Sequence, residues 1–194
     1  PERSEAIYEH FKKQEAQFWT VEELDFGDDR RDWERMEEGA RHFIKQTLAF
    51  FAASDGVVNE NIEMNFCNEV QDWAARAGYG AQIHIENIHG ATYNELLRLY
   101  VPDKAELARL QHATEHMPHI ASKAAWAKKY IEGKHLPFAQ RLVAFAVVEG
   151  IFFSSSFASI FWVKKRGLLP GLVNSNEFIA RDEGMHTQQA IILY

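Results

Sequence analysis

The segment LVAFAVVEGIFFSSSFASIFWV, residues 142–163, decides between a membrane span and the buried helix of a bundle. It is long enough to cross a bilayer, and Glu149 is its only charged residue. Four serines, a glycine and a central carboxylate weaken the membrane interpretation, because a carboxylate at mid-bilayer is costly. A helix that is apolar on all sides is also what the centre of a helical bundle needs. We therefore predict a buried core helix and no membrane span.

The rest of the chain also has helical periodicity. Only five prolines and eleven glycines interrupt the 194 residues, and nearly all of them lie between long periodic segments. No stretch alternates with period two for long enough to require a sheet. The pattern predicts one all-α domain over residues 1–194, with helices at about 4–17, 30–36, 40–70, 73–100, 104–116, 121–132, 138–165 and 176–194.

Several residues mark the predicted helix ends. Asp103 is a candidate N-cap for the fifth helix, and Pro118 separates the fifth helix from the sixth. Gly167 and Pro170 are expected to end the seventh helix. The pair Asn174 and Glu177 resembles a capping arrangement for the last one.

Composition excludes several classes of function. The net charge is −7 and no block of Lys or Arg is present, which argues against a nucleic-acid partner. The hydrophobic content of 46% is enough for a substantial core. Cys67 is the only cysteine, so no intrachain disulfide is possible, and a reducing compartment such as the cytoplasm is expected.

The buried-looking Glu149 needs a partner, because an ionised carboxylate in a core is costly unless it is paired or binds a metal. The sequence contains two Glu-x-x-His motifs, Glu86 with His89 in ENIHGATY and Glu183 with His186 in RDEGMH. A further acid precedes each motif: Asp55 lies 31 residues before the first and Glu149 lies 34 residues before the second. These four elements fall on four different predicted helices.

This arrangement is typical of a dinuclear metal site in a ferritin-like four-helix bundle, here with additional flanking helices. Four carboxylates balance two divalent cations, and oxygen ligands mixed with imidazole suit iron or manganese better than zinc or copper(I). One Glu-x-x-His motif alone is common on a solvated helix. Two motifs, each preceded by an acid in an apolar run, favour the metal site, whose predicted ligands are Asp55, Glu86, His89, Glu149, Glu183 and His186.

Four longer stretches carry a family resemblance: FFAASDGVVNEN, ENIHGATY, VEGIFFSSSFASIFWVKKRGLLPGL and NEFIARDEGMH. They resemble the small, radical-generating subunit of class I ribonucleotide reductase, in its eukaryotic and viral branch. The resemblance extends from about residue 17 to His186 and includes all six predicted ligands in order. It implies an oxidoreductase subunit that supports the reduction of ribonucleotides to deoxyribonucleotides.

The resemblance also implies roles for residues that the spacing alone does not single out. Tyr93 matches the tyrosine that bears the radical, about 6 Å along the helix axis from His89. Trp19 and Asp182 match the residues that transfer the radical together with His89. The apolar pocket around the radical is expected to contain Phe153, Phe157 and Ile179.

The implied cofactor is two iron ions per chain, with manganese as the alternative, joined by an oxo bridge derived from O2. The implied partners are a second copy of the chain in a homodimer and a separate large subunit that binds the ribonucleotide. Neither a nucleic acid nor a membrane is an expected partner.

Two departures from the family pattern stand out. Family members continue well past the second Glu-x-x-His motif, so this sequence is expected to be a fragment of a longer protein. Ala81 and His84, in GAQIHIENIH, are unusual for this branch. Three other hypotheses stay open at this point: a dimetal oxidase of similar fold, an iron-storage protein like the ferritins, and an inactive interaction module.

Overall fold

The computed structural model describes the backbone of residues 2–194 and the side chains of residues 4–194. No strand occurs in that range, so the all-α prediction is confirmed. The helices are α1 (Glu2–Ala16), α2 (Asp29–Arg35), α3 (Glu38–Asn61), α4 (Trp73–Tyr100), α5 (Lys104–Gln111), α6 (Ala113–His116), α7 (Pro118–Ile131), α8 (Phe138–Val147), α9 (Ser154–Lys165) and α10 (Pro170–Leu193). A short 3-10 turn, Val21–Glu23, lies between α1 and α2.

Two π-helical turns lie within the longest helical runs. Helix α3 continues through the π-helix Ile62–Phe66 into a last turn, Cys67–Glu69. A second π-helix, Val148–Phe152, separates α8 from α9 and contains Glu149. Single π-turns inside helices occur frequently at functional sites. The sequence pattern predicts both runs as helical but gives no sign of the wider turns.

Helices α3 and α4, the α8–α9 run and α10 form the bundle that carries the predicted ligands. Helix α4 packs against α3 and α10, and α10 packs against both α8 and α9. Helix α1 covers α4 and α10 on the outside, and α7 bridges α3 and α8. Large aromatic and aliphatic side chains fill the interior, and those with no exposed surface include Leu48, Phe51, Phe66, Tyr93 and Leu97.

The start of α10 differs from the sequence prediction. As predicted, α9 ends at Lys165, before Gly167, but Pro170 occupies the first turn of α10 and Asn174 lies inside that helix. The first turn is capped from a distant part of the protein, because Asp29 accepts hydrogen bonds from the amides of Gly171 (2.7 Å) and Leu172 (2.8 Å). A cap supplied by tertiary contact leaves no signal in the local sequence.

Other predicted helix boundaries agree with the structure in part. The Asp103 carboxylate caps α5 by accepting from the amide of Glu106 at 2.7 Å, as predicted. The predicted helix 104–116 is wrong as a single element, because the backbone of His112 leaves the helical region between α5 and α6. Pro118 occupies the first turn of α7 instead of standing before it.

The segment Phe138–Lys165 is long and apolar enough to cross a membrane, and 39% of its most apolar window is buried within the protein. Core helices of soluble proteins pass the same test of length and composition. Two charged side chains in this run, Arg141 and Glu149, face the interior, with 4% and 2% of their surfaces exposed. This burial of charge favours the core-helix interpretation.

Candidate metal centre

The six predicted ligands come together in the middle of the bundle. Each has at most 3% of its surface exposed. Helix α3 contributes Asp55, α4 contributes Glu86 and His89, the π-turn contributes Glu149, and α10 contributes Glu183 and His186. Two groups of donor atoms, which share Glu86, each lie within 4.8 Å of one another: Asp55, Glu86 and His89, and then Glu86, Glu149, Glu183 and His186.

Both imidazoles direct Nδ1 toward the carboxylates. His89 Nδ1 lies 3.3 Å from Oε2 of Glu86 and 3.2 Å from Oε1 of Glu183. His186 Nδ1 lies 3.0 Å from Oε1 of Glu86 and 3.0 Å from Oε2 of Glu183. Glu86 and Glu183 therefore each face both histidines with separate oxygens, which is the arrangement of two carboxylates between two cation positions.

Asp55 and Glu149 occupy the outer positions of the cluster. Neither oxygen of Asp55 has a hydrogen-bond partner among the described residues. The same is true of Glu149, whose Oε2 lies 3.4 Å from Nδ1 of His186 without the alignment of a hydrogen bond. Buried carboxylate oxygens without partners are expensive to maintain. Divalent cations would satisfy them.

Burial and mutual repulsion perturb the acids of the cluster. Burial, with the charges of Glu86 and Glu183, raises the pKa of Asp55 well above its usual range. Burial and the charge of Glu183 do the same to the pKa of Glu149. Burial also acts to raise the pKa of Glu183, but the neighbouring Glu149 and the two imidazoles outweigh it and hold that pKa low.

The two histidines have raised pKa values. Burial acts to lower the pKa of His89, but the surrounding carboxylates of Asp182, Glu183 and Glu86 outweigh it. The same balance raises the pKa of His186, where the charges of Glu86 and Glu183 oppose burial. Because cations bind deprotonated carboxylates and neutral imidazoles, metal binding would release protons from groups whose pKa values are raised. The donor set of four carboxylates and two imidazoles fits two divalent ions of the iron or manganese type.

A series of hydrogen bonds leads away from the cluster through Asp182. Trp19 Nε1 donates to Oδ2 of Asp182 at 2.7 Å, and the same oxygen lies 3.2 Å from Nε2 of His89. The Trp19 ring also stacks on the His89 ring, with centroids 5.9 Å apart. Arg181 lies 3.1 Å from the other oxygen of Asp182 and donates to the backbone carbonyl of Gln17 at 2.7 Å. These contacts join α10, α4 and the segment after α1.

Tyr93 is completely buried, and the structure adds two neighbours that the sequence did not indicate. Its ring is parallel to Phe51 with centroids 5.0 Å apart, and its hydroxyl donates a long hydrogen bond of 3.4 Å to Asn176. Burial, followed by the charge of Asp55, raises the pKa of Tyr93 well above its usual value. The phenol therefore keeps its proton at neutral pH.

The residues predicted to form the apolar pocket are all buried, and two of them pack on Phe51. Phe153 and Phe157 pack against Phe51 with centroids 5.4 and 4.7 Å away, and Ile179 has no exposed surface. Phe51 therefore lies between Tyr93 and the two other aromatic rings. A signal for Phe51 was present in its position one helical turn before Asp55, which places both on one face of α3.

Comparison with known proteins places this site in a family. The profile of the ribonucleotide reductase small chain matches residues 1–194. The protein belongs to the ribonucleotide reductase small chain family. A ribonucleoside-diphosphate reductase small subunit of Arabidopsis thaliana is 57% identical over 189 residues, which cover 97% of the present sequence and 57% of that protein.

Other small subunits of the family have a similar degree of identity to this protein. The small subunit of Trypanosoma brucei brucei is 55% identical and that of Monkeypox virus 53%, each over 97% of the present sequence. They confirm the predicted resemblance to eukaryotic and viral small subunits. The present sequence spans 56% and 59% of the lengths of these two relatives, a little over half of each.

Solved structures show the same fold. The Rnr4 homodimer of ribonucleotide reductase from Saccharomyces cerevisiae superimposes with a TM-score of 0.89 and 32% identity, over 97% of the present protein and 60% of that one. An R2-like ligand-binding oxidase with a Mn/Fe cofactor superimposes with a TM-score of 0.80 and 19% identity, over 95% and 67%. At that identity the second likeness shows the fold alone.

Proposed function

We propose that this protein is the metal-binding part of a ribonucleoside-diphosphate reductase small subunit, and that it generates a stable radical on Tyr93. The observation that carries the proposal is the convergence of six buried donor residues next to a buried tyrosine. Asp55, Glu86, His89, Glu149, Glu183 and His186 would hold two iron ions, with manganese as the alternative. When bound, these ions would supply two of the four electrons that the cleavage of O2 takes, and Tyr93 and an external reductant acting through Trp19 would supply one each.

The protein's own contribution would be to keep Tyr93 dry, close and protonated until it is oxidised. Phe51 covers one face of the ring, and no part of Tyr93 contacts solvent. Phe153, Phe157 and Ile179 extend this apolar shell and exclude small reductants. A phenoxyl radical persists only where such reactants cannot reach it, so the burial supports the proposed role.

Trp19, Asp182 and His89 would provide the path by which an electron reaches the centre. The shared Oδ2 of Asp182 joins the indole N–H to the imidazole. It also orients His89 so that Nδ1 faces the metal positions, the usual role of a carboxylate behind a ligating histidine. An iron-storage protein has no need of such a path. This series of contacts therefore favours the reductase over the storage hypothesis.

The partners follow from the family. We propose a homodimer, which the solved yeast Rnr4 homodimer supports. We also propose a separate large subunit, at which the stored radical would start the reduction of ribonucleotides. Residues 1–194 would act as a single domain in the cytoplasm.

The test is to load metal-free protein with Fe(II), admit O2, and record optical and electron-spin resonance spectra. Wild type should give an organic radical signal, and Tyr93→Phe should bind iron but give none. Tyr79→Phe is the matched control, because Tyr79 is also a tyrosine of α4, is 1% exposed and lacks a hydroxyl partner among the described residues. It should retain the radical.

Iron binding without a radical in wild type would overturn the proposed radical function and point to an oxidase or a storage protein. A radical that survives in Tyr93→Phe would place it on another residue. Failure to bind two ions per protein molecule would contradict the dinuclear centre. Circular dichroism of each variant before loading separates these outcomes from loss of the fold.

A further inference from the structure

A second potential site lies beside the metal centre, between α1, α4 and α10. It is a cavity of about 480 Å³, within the size range of small-molecule sites. Its wall on α4 is formed partly by two short side chains, Ala77 and Ala81. Gly78 lies between them, where an added Cβ would come within 2.7 Å of the Gln189 side chain. The short side chains of Ala77 and Ala81 therefore leave the space open, and Gly78, which does not line it, leaves room for the Gln189 side chain.

The cavity contains an unpaired amide. Gln82 lines it and is 1% exposed, yet neither its Oε1 nor its Nε2 has a hydrogen-bond partner among the described residues. Gln14, on the opposite wall, also has an unpaired Oε1. Both amide atoms of Gln82 are buried, so the side chain must turn to reach a molecule in the cavity, and pairing there would end the unfavourable burial of an unpartnered polar group. Adjacent donor and acceptor atoms on Gln82 match a carboxamide or a lactam, which presents the same pair in reverse.

The remaining walls favour a flat apolar body. Phe11, Phe18 and Ile85 contribute apolar surface. Phe18 stacks on His84 with centroids 5.3 Å apart and an interplanar angle of 11°. Both Phe18 and His84 are exposed at one side of the cavity, so they form an aromatic edge on which a ring can stack.

The hydrogen-bonding atoms of Gln82 limit the head group further. Glu15 and Asp182 line the cavity together with the imidazoles of His84 and His186, and Arg181 pairs with Asp182, so charge alone does not select the ligand. A carboxylate has no hydrogen to donate to Oε1 of Gln82, so a neutral amide head is favoured over a carboxylate. Asp182 also places the cavity next to the Trp19–Asp182–His89 contacts.

We propose that this cavity binds a neutral ring compound bearing a carboxamide or lactam, with the amide paired to Gln82 and the ring against Phe18 and His84. The inference rests on the cavity and its unpaired amide, and it holds whether or not the metal centre forms a radical. It also gives a role to Ala81 and His84, the two residues that depart from the family pattern.

Benzamide is the probe, because it joins one carboxamide to one ring. Binding to the metal-free and metal-loaded protein would be measured by ligand-observed NMR and by calorimetry. We expect saturable binding with one molecule per protein and a Kd on the order of 1 mM. Benzoate, which has the same shape and a negative charge, should bind at least about tenfold more weakly.

Two variants locate the site. Gln82→Leu removes the amide at similar size and should weaken benzamide binding by about tenfold, the value of one or two hydrogen bonds. Ala81→Phe should fill the space and abolish binding. Gln140→Leu is the matched control, because Gln140 is exposed on α8, outside the cavity, and should leave binding unchanged.

Absence of saturable binding at about 10 mM benzamide would overturn the proposal and leave a cavity that holds solvent only. Equal binding of benzamide by wild type and Gln82→Leu would contradict the proposed hydrogen bonds between the ligand's amide and Gln82. If Ala81→Phe does not fold, chemical shifts of the Gln82 side-chain amide on titration decide, and shifts confined to distant residues would contradict the site.

Discussion

The substitution Asp55→Asn should stabilise the metal-free protein and weaken its stabilisation by metal. Asp55 is 3% exposed and has no hydrogen-bond partner for either oxygen among the described residues. Burial raises its pKa well above the usual range, so the folded protein holds a proton that the unfolded protein releases. The amide has nearly the same shape and cannot ionise.

The pH dependence of stability gives the sign of the expected difference between Asp55→Asn and wild type. An unfolded Asp titrates near pH 4, and between that pH and the raised pKa the unfolded state binds fewer protons than the folded one. Wild type therefore loses stability as pH rises through this window, and the amide variant loses less, because only the other groups with raised pKa values, such as Glu149, still titrate in it. Each pH unit inside this window changes the difference by about 1.36 kcal/mol, so the variant should be the more stable protein at pH 7. Below about pH 4 the gain should vanish.

Metal should reduce the difference in stability between the two proteins. At a Mn²⁺ concentration 100 times its Kd, wild type should gain about 2.7 kcal/mol in its free energy of unfolding. The variant lacks one ligand of the centre, so the same concentration should stabilise it less. The assay is urea unfolding followed by circular dichroism, with Mn²⁺ or with a chelator, at several pH values between 4 and 7.5.

Glu60→Gln is the control, because Glu60 is exposed on the same helix. It should change neither the pH profile nor the response to metal. A metal-free Asp55→Asn protein that is less stable than wild type at pH 7 would refute the reasoning, since the carboxylate would then support the fold by its charge. Equal stabilisation of both proteins by Mn²⁺ would show that Asp55 is not a ligand.

Two further predictions concern other parts of the fold. Gly171→Ala should destabilise the protein by about 1–3 kcal/mol, because an added Cβ would come within 2.6 Å of the Asp25 carbonyl, whereas Gly184→Ala on the same helix meets nothing and should be neutral or slightly stabilising. Thermal unfolding of both variants measures this, and equal midpoints would contradict it. Burial lowers the pKa of His10, despite the hydrogen bond of its ring to the Met185 carbonyl. The contribution of the neutral imidazole to the free energy of unfolding is therefore complete above about pH 6.5 and is lost as the pH falls below that value. Wild type should therefore lose stability relative to His10→Gln between pH 7.5 and 5.5, and a constant difference in urea midpoints would exclude this.

The metal cluster could be predicted from the sequence because its signals are local and repeated. Glu-x-x-His fixes two donors on one helical turn, and an acid in an apolar run has few explanations other than a buried site. The structure brings all six residues together. Trp19 and Asp182 carry no such local signal, because their hydrogen bond joins residues 163 positions apart. Their pairing follows from family resemblance alone.

The structural surprises share one cause, which is contact between distant parts of the sequence. Local rules allow Pro170 either to follow the end of a helix or to occupy a first turn, so the predicted start of the last helix at about residue 176 is wrong for a reason that lies elsewhere in the fold. Asp29 decides the matter by capping α10, and it also accepts a hydrogen bond from Tyr100 at 2.6 Å. Phe51 likewise becomes a neighbour of Tyr93 only when α3 packs on α4.

The division of the molecule into stabilising and functional parts follows from these contacts. The centre concentrates buried acids, which lower the free energy of unfolding when no cation is bound. The surrounding structure must therefore provide the stability that these acids remove. Packed aromatic rings around Phe51 and Phe66 and the capped start of α10 do so from outside the cluster. Because these supports do not use the ligand side chains, the metal-free protein can keep the bundle and the ligands in place. The centre is then ready to bind ions without refolding.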